Sequence, residues 1–262
     1  MSTIALLTDF SLHDEFVGVM KGVILSIAPN ATIIDLCHEI PPQSILQGAL
    51  MLQRSYRYFP KGTIFCCVID PGVGTQRNPI AARAADWYFV GPDNGLFSPV
   101  FREISGTRQQ LEVFNLDQPN YWLKEISKSF HGRDIFAPVA AHLSKGVKIT
   151  ELGRKTATFV KMDLPEYRKT QKGWEGIIIN IDHFGSCSSN LPSEVLKENP
   201  SLRLLIKQHI IDKFVNTFGE AQPGEVIVMA DSSGYLSICM VDGNAQKTLD
   251  LHFGDKVELM KS

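Results

Sequence analysis

The chain has 262 residues, of which 44% are hydrophobic, and 28 acidic against 26 basic side chains leave a formal net charge of -2. Such a composition excludes disordered and fibrous classes, supports one large domain or a medium domain with a small one, and offers no basic excess for a nucleic-acid partner. No run approaches the ~18 consecutive apolar residues of a membrane span, and Met1 to Leu7 is too short and lacks the basic residues of an export signal. A cytoplasmic protein without a membrane partner is expected. Five cysteines, an odd number with no C-x2-C pair, support neither a disulfide framework nor a structural zinc site.

In chain order, Ile4 to Leu7 reads as a buried strand, and Phe16, Met20, Val23, Ile24 and Ile27 then recur at helical spacing. Thr32 to Leu36 returns to strand composition, completing a βαβ unit. A helix from Ser44 to about Tyr58 precedes strands at Thr63 to Ile69 and Trp87 to Val90, and a further helix follows His131 and reaches about Leu143. This alternation predicts an α/β fold, a largely parallel sheet flanked by helices, over residues 1–165. The polar, Pro-bearing stretch over 163–172 reads as a linker. Beyond it, short strands at Gly176 to Ile181, Leu202 to Lys207, Glu225 to Ala230, Tyr235 to Val241 and Lys256 to Met260 predict a C-terminal antiparallel β-barrel or sandwich over 172–262.

Ligands of open α/β sheets collect at the carboxyl ends of strands. Asp9 and Asp14 follow the first strand; a carboxylate such as Asp9 can accept both hydroxyls of a ribose, whereas Asp14 suits a helix cap at least as well. Asp70-Pro71-Gly72-Val73-Gly74-Thr75-Gln76-Arg77 follows a wholly apolar run, so Asp70 emerges at the sheet rim and Arg77 can fold back to pair with it. That spacing fits a structural salt bridge as well as a functional pair. Gly72-x-Gly74 lacks the third glycine of a dinucleotide fingerprint. His131 stands before a helix start, which opposes protonation. Asp182-His183-Phe184-Gly185-Ser186 and Asp231-Ser232-Ser233-Gly234-Tyr235, taken singly, are turns.

Taken together, the chain resembles the S-adenosyl-L-methionine hydroxide adenosyltransferases, relatives of the fluorinating and chlorinating enzymes that use the same substrate. The resemblance spans nearly the whole chain. It rests on Thr8-Asp9-Phe10 with Asp14, Asp70-Pro71-Gly72-Val73-Gly74 with Arg77, Pro92-Asp93-Asn94-Gly95, Phe130-His131-Gly132-Arg133-Asp134, Ile181-Asp182 with Phe184-Gly185, Ser232-Ser233-Gly234-Tyr235-Leu236, and Gly243-Asn244-Ala245. It implies hydrolysis of S-adenosyl-L-methionine to adenosine and methionine, with no cofactor or metal, in a homotrimer whose sites lie between neighbouring subunits. Asp70, Arg77 and His131 match the residues that activate water, a set the halogenating relatives lack. Asp9 matches the ribose-binding carboxylate, and the resemblance implies Asp14 and Asp182 near the methionine ammonium and Ser232 and Ser233 near its carboxylate. Asn94, Phe184, Ser186, Ser237 and Met240 complete the implied substrate contacts. The family usually has Gly at Ser11, Asn at Ser186 and often Glu at Ser237. Three alternatives remain: a metal-dependent hydrolase using Asp9, Asp14, His38 and Asp70, a non-catalytic sensor of the sulfonium nucleoside, and a halide-using enzyme.

Overall fold

A computed structural model describes residues 3–107, 110–198 and 202–261. The chain divides into two compact units, Met1–Asp163 and Leu164–Ser262.

The first unit is a seven-stranded sheet of β1 (Thr3–Thr8), β2 (Thr32–Cys37), β3 (Ile64–Val68), β4 (Pro79–Ala84), β5 (Trp87–Pro92), β6 (Leu111–Leu116) and β7 (Gly153–Thr156), in the order β2-β1-β3-β5-β4-β6-β7. The pairs along β2-β1-β3-β5 are parallel. β4, β6 and β7 extend the sheet in antiparallel fashion. The Ala-rich β4, Pro-Ile-Ala-Ala-Arg-Ala, carries no period-2 alternation that would predict it as a strand.

Among the described residues, four helices cover the sheet: α1 (Phe16–Ile27), α2 (Ile45–Ser55), α3 (Ser98–Ser105) and α4 (Ala137–Ser144). Successive strand side chains point to opposite faces, which sorts the core in two. Ile4, Leu6, Ile64 and Cys66 pack with Met20, Ile24, Val139 and Ala140 of α1 and α4. Ala5, Leu7, Phe65 and Cys67 pack with Ala49, Leu52 and Val100 of α2 and α3. Burial pushes the Cys66 thiol up to about 12, so it behaves as an apolar filler. Among the described residues no helix is long and apolar enough to cross a membrane.

The second unit contains β8 (Arg168–Lys169), β9 (Gly173–Ile181), β10 (Cys187–Pro192), β11 (Leu202–Ile206), β12 (His209–Ile211), β13 (Val226–Ala230), β14 (Tyr235–Met240), β15 (Lys256–Lys261) and the short helix α5 (Ala245–Leu249). The order is β12-β11-β15-β9-β10-β14-β13, with β8 paired to β9 and every pair antiparallel. The segment after β12 reaches β13, where Val228 N donates to the Lys213 carbonyl at 2.9 Å and Val215 N donates to the Val228 carbonyl at 3.0 Å, nearly closing a barrel. Trp174, Ile178, Leu191, Leu204, Ile238 and Val257 form its core.

Part of the segment expected as a linker is therefore strand: Arg168 and Lys169 pair with Glu175 and Trp174. β10 was hidden by its polar Ser188-Ser189-Asn190 run. Those side chains are buried because each polar group finds a partner: Ser189 Oγ donates to the Leu236 carbonyl at 2.9 Å, and Asn190 Oδ1 accepts from Ile177 N at 2.8 Å.

Candidate active site

The parallel part of the first sheet reverses direction between β1 and β3, since β2 lies on one side of β1 and β3 on the other. In open α/β sheets the crevice at the carboxyl ends beside such a reversal is where ligands bind. Asp9 leaves β1 there and Asp70 leaves β3, on strands paired up to Thr8 and Val68.

Asp70 starts a tight turn in which Val73 N donates to its carbonyl at 3.1 Å and the Thr75 hydroxyl donates to the Gly72 carbonyl at 2.7 Å. The turn brings Arg77 back over Asp70. Arg77 Nε donates to both carboxylate oxygens, at 2.8 and 3.0 Å, and Nη2 closes a two-pronged pair on Oδ2. The side chains are only 9% and 4% exposed, so this is a desolvated pair rather than a surface bridge. The guanidinium also lies 5.2 Å from the centroid of the Phe136 ring.

His131 enters from the other side. It precedes a π-helical turn, Gly132–Phe136, that leads into α4, and its Nδ1 lies 2.8 Å from Arg77 Nη2. A guanidinium can only donate, so Nδ1 accepts and the imidazole is neutral with its proton on Nε2. Burial is the largest influence on His131 and pushes its pKa down. The Arg77 charge adds to this, and Asp70, Asp134 and a hydrogen bond to the Ser127 backbone oppose it without reversing it. Burial and the Arg77 charge thus both favour the neutral imidazole. Arg77 Nη1 carries no hydrogen bond among the described residues and remains available to a ligand oxygen.

Asp134 is fully buried; it accepts from Ser127 N at 2.7 Å and from Arg133 Nε at 2.6 Å. Phe10, Phe16 and Phe130 form a ring cluster with centroids 5.1 to 5.7 Å apart, tying the loop after Asp9 to the residue before His131.

Asp9 Oδ2 accepts from Gln43 N at 2.7 Å, and the acid is half-buried. Asp14 is exposed, and the cap expected of it is not made: α1 starts after Glu15 without a side-chain cap bond. The reason is the intervening turn, which places Asp14 one residue too early. Asn94 donates to the Ile69 carbonyl at 2.8 Å and accepts from Leu96 N at 3.2 Å, so its amide braces the backbone immediately before Asp70. His38 bonds Thr8 rather than joining Asp9, Asp14 and Asp70, and among the described residues no group of three or more His, Cys, Asp or Glu is placed to hold a metal ion.

In the second unit Asp182 closes its turn by accepting from Ser186 N at 2.8 Å, which leaves Phe184 75% exposed at the tip. Gly185 has φ +86°, and a Cβ there would lie 2.2 Å from the Asn244 side chain, which itself caps α5 by accepting from Lys247 N at 2.8 Å. The spacing of Phe184-Gly185 with Gly243-Asn244-Ala245 reflects that contact. Ser232 and Ser233 are exposed on a turn whose Asp231 accepts from Ser233 N at 2.8 Å and Tyr235 N at 3.0 Å. Ser237 is buried, with its Oγ 3.5 Å from Ser188 Oγ. Met240 is half-buried and its sulfur accepts from the Thr248 hydroxyl at 3.4 Å.

Family models and curated relatives match the chain over nearly its whole length. Residues 4–153 match the SAM hydroxide adenosyltransferase N-terminal domain and residues 176–258 the C-terminal domain of the same family. The (R)-S-adenosyl-L-methionine hydrolase of Salinispora tropica is 35% identical over 259 residues, covering 98% of this chain and 97% of that protein. A fluorinase of an Actinoplanes species is 27% identical over 270 residues, covering 90% of this chain and 89% of that protein. The crystal structure of an uncharacterized conserved protein from Thermotoga maritima superposes with a TM-score of 0.91 at 33% identity, covering 98% of this chain and 99% of that one. With both domain descriptions matched in order along the chain, this protein belongs to the SAM hydroxide adenosyltransferase family.

Proposed function

We propose that this protein hydrolyses S-adenosyl-L-methionine to adenosine and L-methionine through attack of activated water on ribose C5′. The observation that carries the reading is the Arg77 guanidinium, pinned by Asp70 on one edge and by His131 at Nη2, with Nη1 left free. Relatives named as hydrolases of this substrate cover nearly the whole chain.

Methionine departs as a neutral thioether, so the leaving group needs no proton. The barrier lies with the nucleophile: water has a pKa near ~15.7, and a fixed cation beside its oxygen lowers the cost of hydroxide character. Arg77 supplies that cation. Asp70 and His131 hold its plane, and because His131 Nδ1 is already an acceptor for Arg77, the imidazole positions the guanidinium rather than taking the proton through that nitrogen. The sulfonium cation and water yield two neutral organic products and one proton, which leaves to solvent. In-line alignment of oxygen, carbon and sulfur contributes up to ~7 to 11 kcal/mol.

Asp9 would hold the ribose hydroxyls, Asp14 and Asp182 the ammonium of the methionine, and Ser232 and Ser233 its carboxylate. Phe184, Ser186, Ser237 and Met240 would line the remainder, and Asn94 would serve by holding the strand end. No metal or cofactor is required by this chemistry. A homotrimer with sites shared between neighbouring subunits fits the 75% exposure of Phe184, a large apolar side chain left uncovered in the single chain.

Incubation of the pure protein with S-adenosyl-L-methionine in 18O-water tests the reading. Labelled adenosine, formed equally with a chelator present, is the expected product. Saturable binding with no adenosine would establish the sensor instead, and chloride-dependent 5′-chloro-5′-deoxyadenosine the halide-using enzyme.

A further inference from the structure

Deep in the first unit, His38 is only 3% exposed, yet it takes no part in the chemistry just described. Its Nδ1 lies 2.8 Å from Thr8 Oγ1, and Thr8 Oγ1 in turn accepts from Phe10 N at 3.2 Å. The His38 carbonyl accepts from Ser11 N at 2.7 Å. One residue thus grips the loop on both sides of Asp9, at Thr8 through its ring and at Ser11 through its backbone. Ser11 adopts φ +60°, a conformation that a non-glycine residue holds only when its surroundings enforce it.

The other ring nitrogen, Nε2, stands 3.0 Å from Asp35 Oδ1, close enough for electrostatic pairing although too poorly aligned for a hydrogen bond. Asp35 is held in turn by Lys21 Nζ at 2.6 Å. Burial pushes the Asp35 carboxyl up, but its contacts with Lys21 and His38 outweigh that and hold it below the usual carboxylate range. A carboxylate facing Nε2 places the imidazole proton there, so Nδ1 is the acceptor and the Thr8 hydroxyl is its donor. The Thr8 oxygen is then free to accept from Phe10 N. Every polar group in the series has one consistent role, which gives the loop a single orientation.

We propose that His38 is the positioning residue of the Asp9 carboxylate, acting through Thr8 and oriented by Asp35. This inference rests on the reading of Asp9 as the group that binds the ribose hydroxyls. Asp9 Oδ2 also accepts from Gln43 N at 2.7 Å, so the carboxylate sits between two backbone segments whose spacing His38 sets from below.

Steady-state kinetics with S-adenosyl-L-methionine, and affinities for adenosine and 2′,3′-dideoxyadenosine, test it. His38→Leu is expected to raise KM about tenfold with kcat within about threefold, and to erase the preference for adenosine over the dideoxy compound. His38→Asn, whose amide oxygen can occupy the place of Nδ1, should restore most of both. Thr8→Val, which keeps the shape and removes the hydroxyl, should reproduce the His38→Leu effect and serves where that variant does not fold. Asp9→Ala combined with Thr8→Val should bind no more weakly than Asp9→Ala alone. An unchanged KM in Thr8→Val, a KM in His38→Asn raised as far as in His38→Leu, or additive losses in the double variant, would overturn the role of His38 while leaving that of Asp9 intact. If Asp9→Ala itself binds substrate normally, the ribose reading fails first and this inference with it.

Discussion

Gly74 presses its Cα against the backbone of Lys128: a Cβ at Gly74 would stand 2.2 Å from the Lys128 carbonyl oxygen, and its φ of +75° is one that side chains disfavour. The Asp70–Arg77 loop is thereby locked against the segment that delivers His131. Gly74→Ala should lose about 1 to 3 kcal/mol of stability and about 10- to 100-fold in kcat as the two loops part. Urea denaturation alongside steady-state kinetics checks both, and wild-type turnover in this variant would show that the contact does not align the site.

Arg77→Lys keeps the charge but not the planar fork that engages Asp70 and His131 together. Turnover should fall by about 100- to 1,000-fold while KM stays within about tenfold, because the group acts on developing charge rather than on bound substrate. His131→Ala should behave in the same manner. Equal weakening of binding and turnover in either variant would contradict this division of labour.

His131 must be neutral to accept from Arg77, and its pKa is displaced downward by burial first and by Arg77 second. Plotted against pH, kcat should therefore show an acid limb with a midpoint below the ordinary histidine value near ~6.5. His131→Gln should flatten that limb. Stability follows the same sign: the unfolded chain binds the proton more readily, so the contribution of His131 is full above the unfolded pKa and declines as pH falls toward the folded one. A midpoint above 7 would contradict the neutral assignment.

Asp134→Asn removes the charge that holds Ser127 N and Arg133 inside the first unit. About 2 to 4 kcal/mol of stability should be lost at pH 7, where the wild-type carboxylate is ionised. Burial pushes this carboxyl up, but Arg133 and Ser127 bring it below its usual range, so the wild-type advantage should fade as pH drops through the folded value. Urea unfolding at pH 7 and pH 3 measures the difference, and an equal gap at both would argue against a charge effect.

Phe184→Ala removes an aromatic that the isolated chain leaves uncovered. KM should rise by about tenfold or more, with Tm of the monomeric chain unchanged. Sedimentation of the variant alongside wild type tells whether the ring also joins subunits.

Much of this molecule is legible from its residues alone. The buried run through Phe65 to Ile69 fixes where Asp70 must surface, and the Pro-Gly turn after it makes the return of Arg77 sterically natural. The alternation of strand and helix yields the parallel half of the first sheet, and the order of short motifs identifies the family. These are local properties, set by periodicity and turn chemistry over a few neighbouring positions. Three-dimensional packing alone decided the rest. It resolved whether Asp70 and Arg77 form a bare structural bridge or part of a larger set, because His131 lies 54 positions beyond Arg77 and meets it only when α4 packs on the sheet. It hid a strand within Ser188-Ser189-Asn190, whose burial depends on partners such as Leu236 and Ile177 elsewhere in the chain. It also turned His38 from a prospective metal ligand into the partner of Thr8, since the hydrogen bonds of a buried imidazole depend on which distant residues the fold places around it.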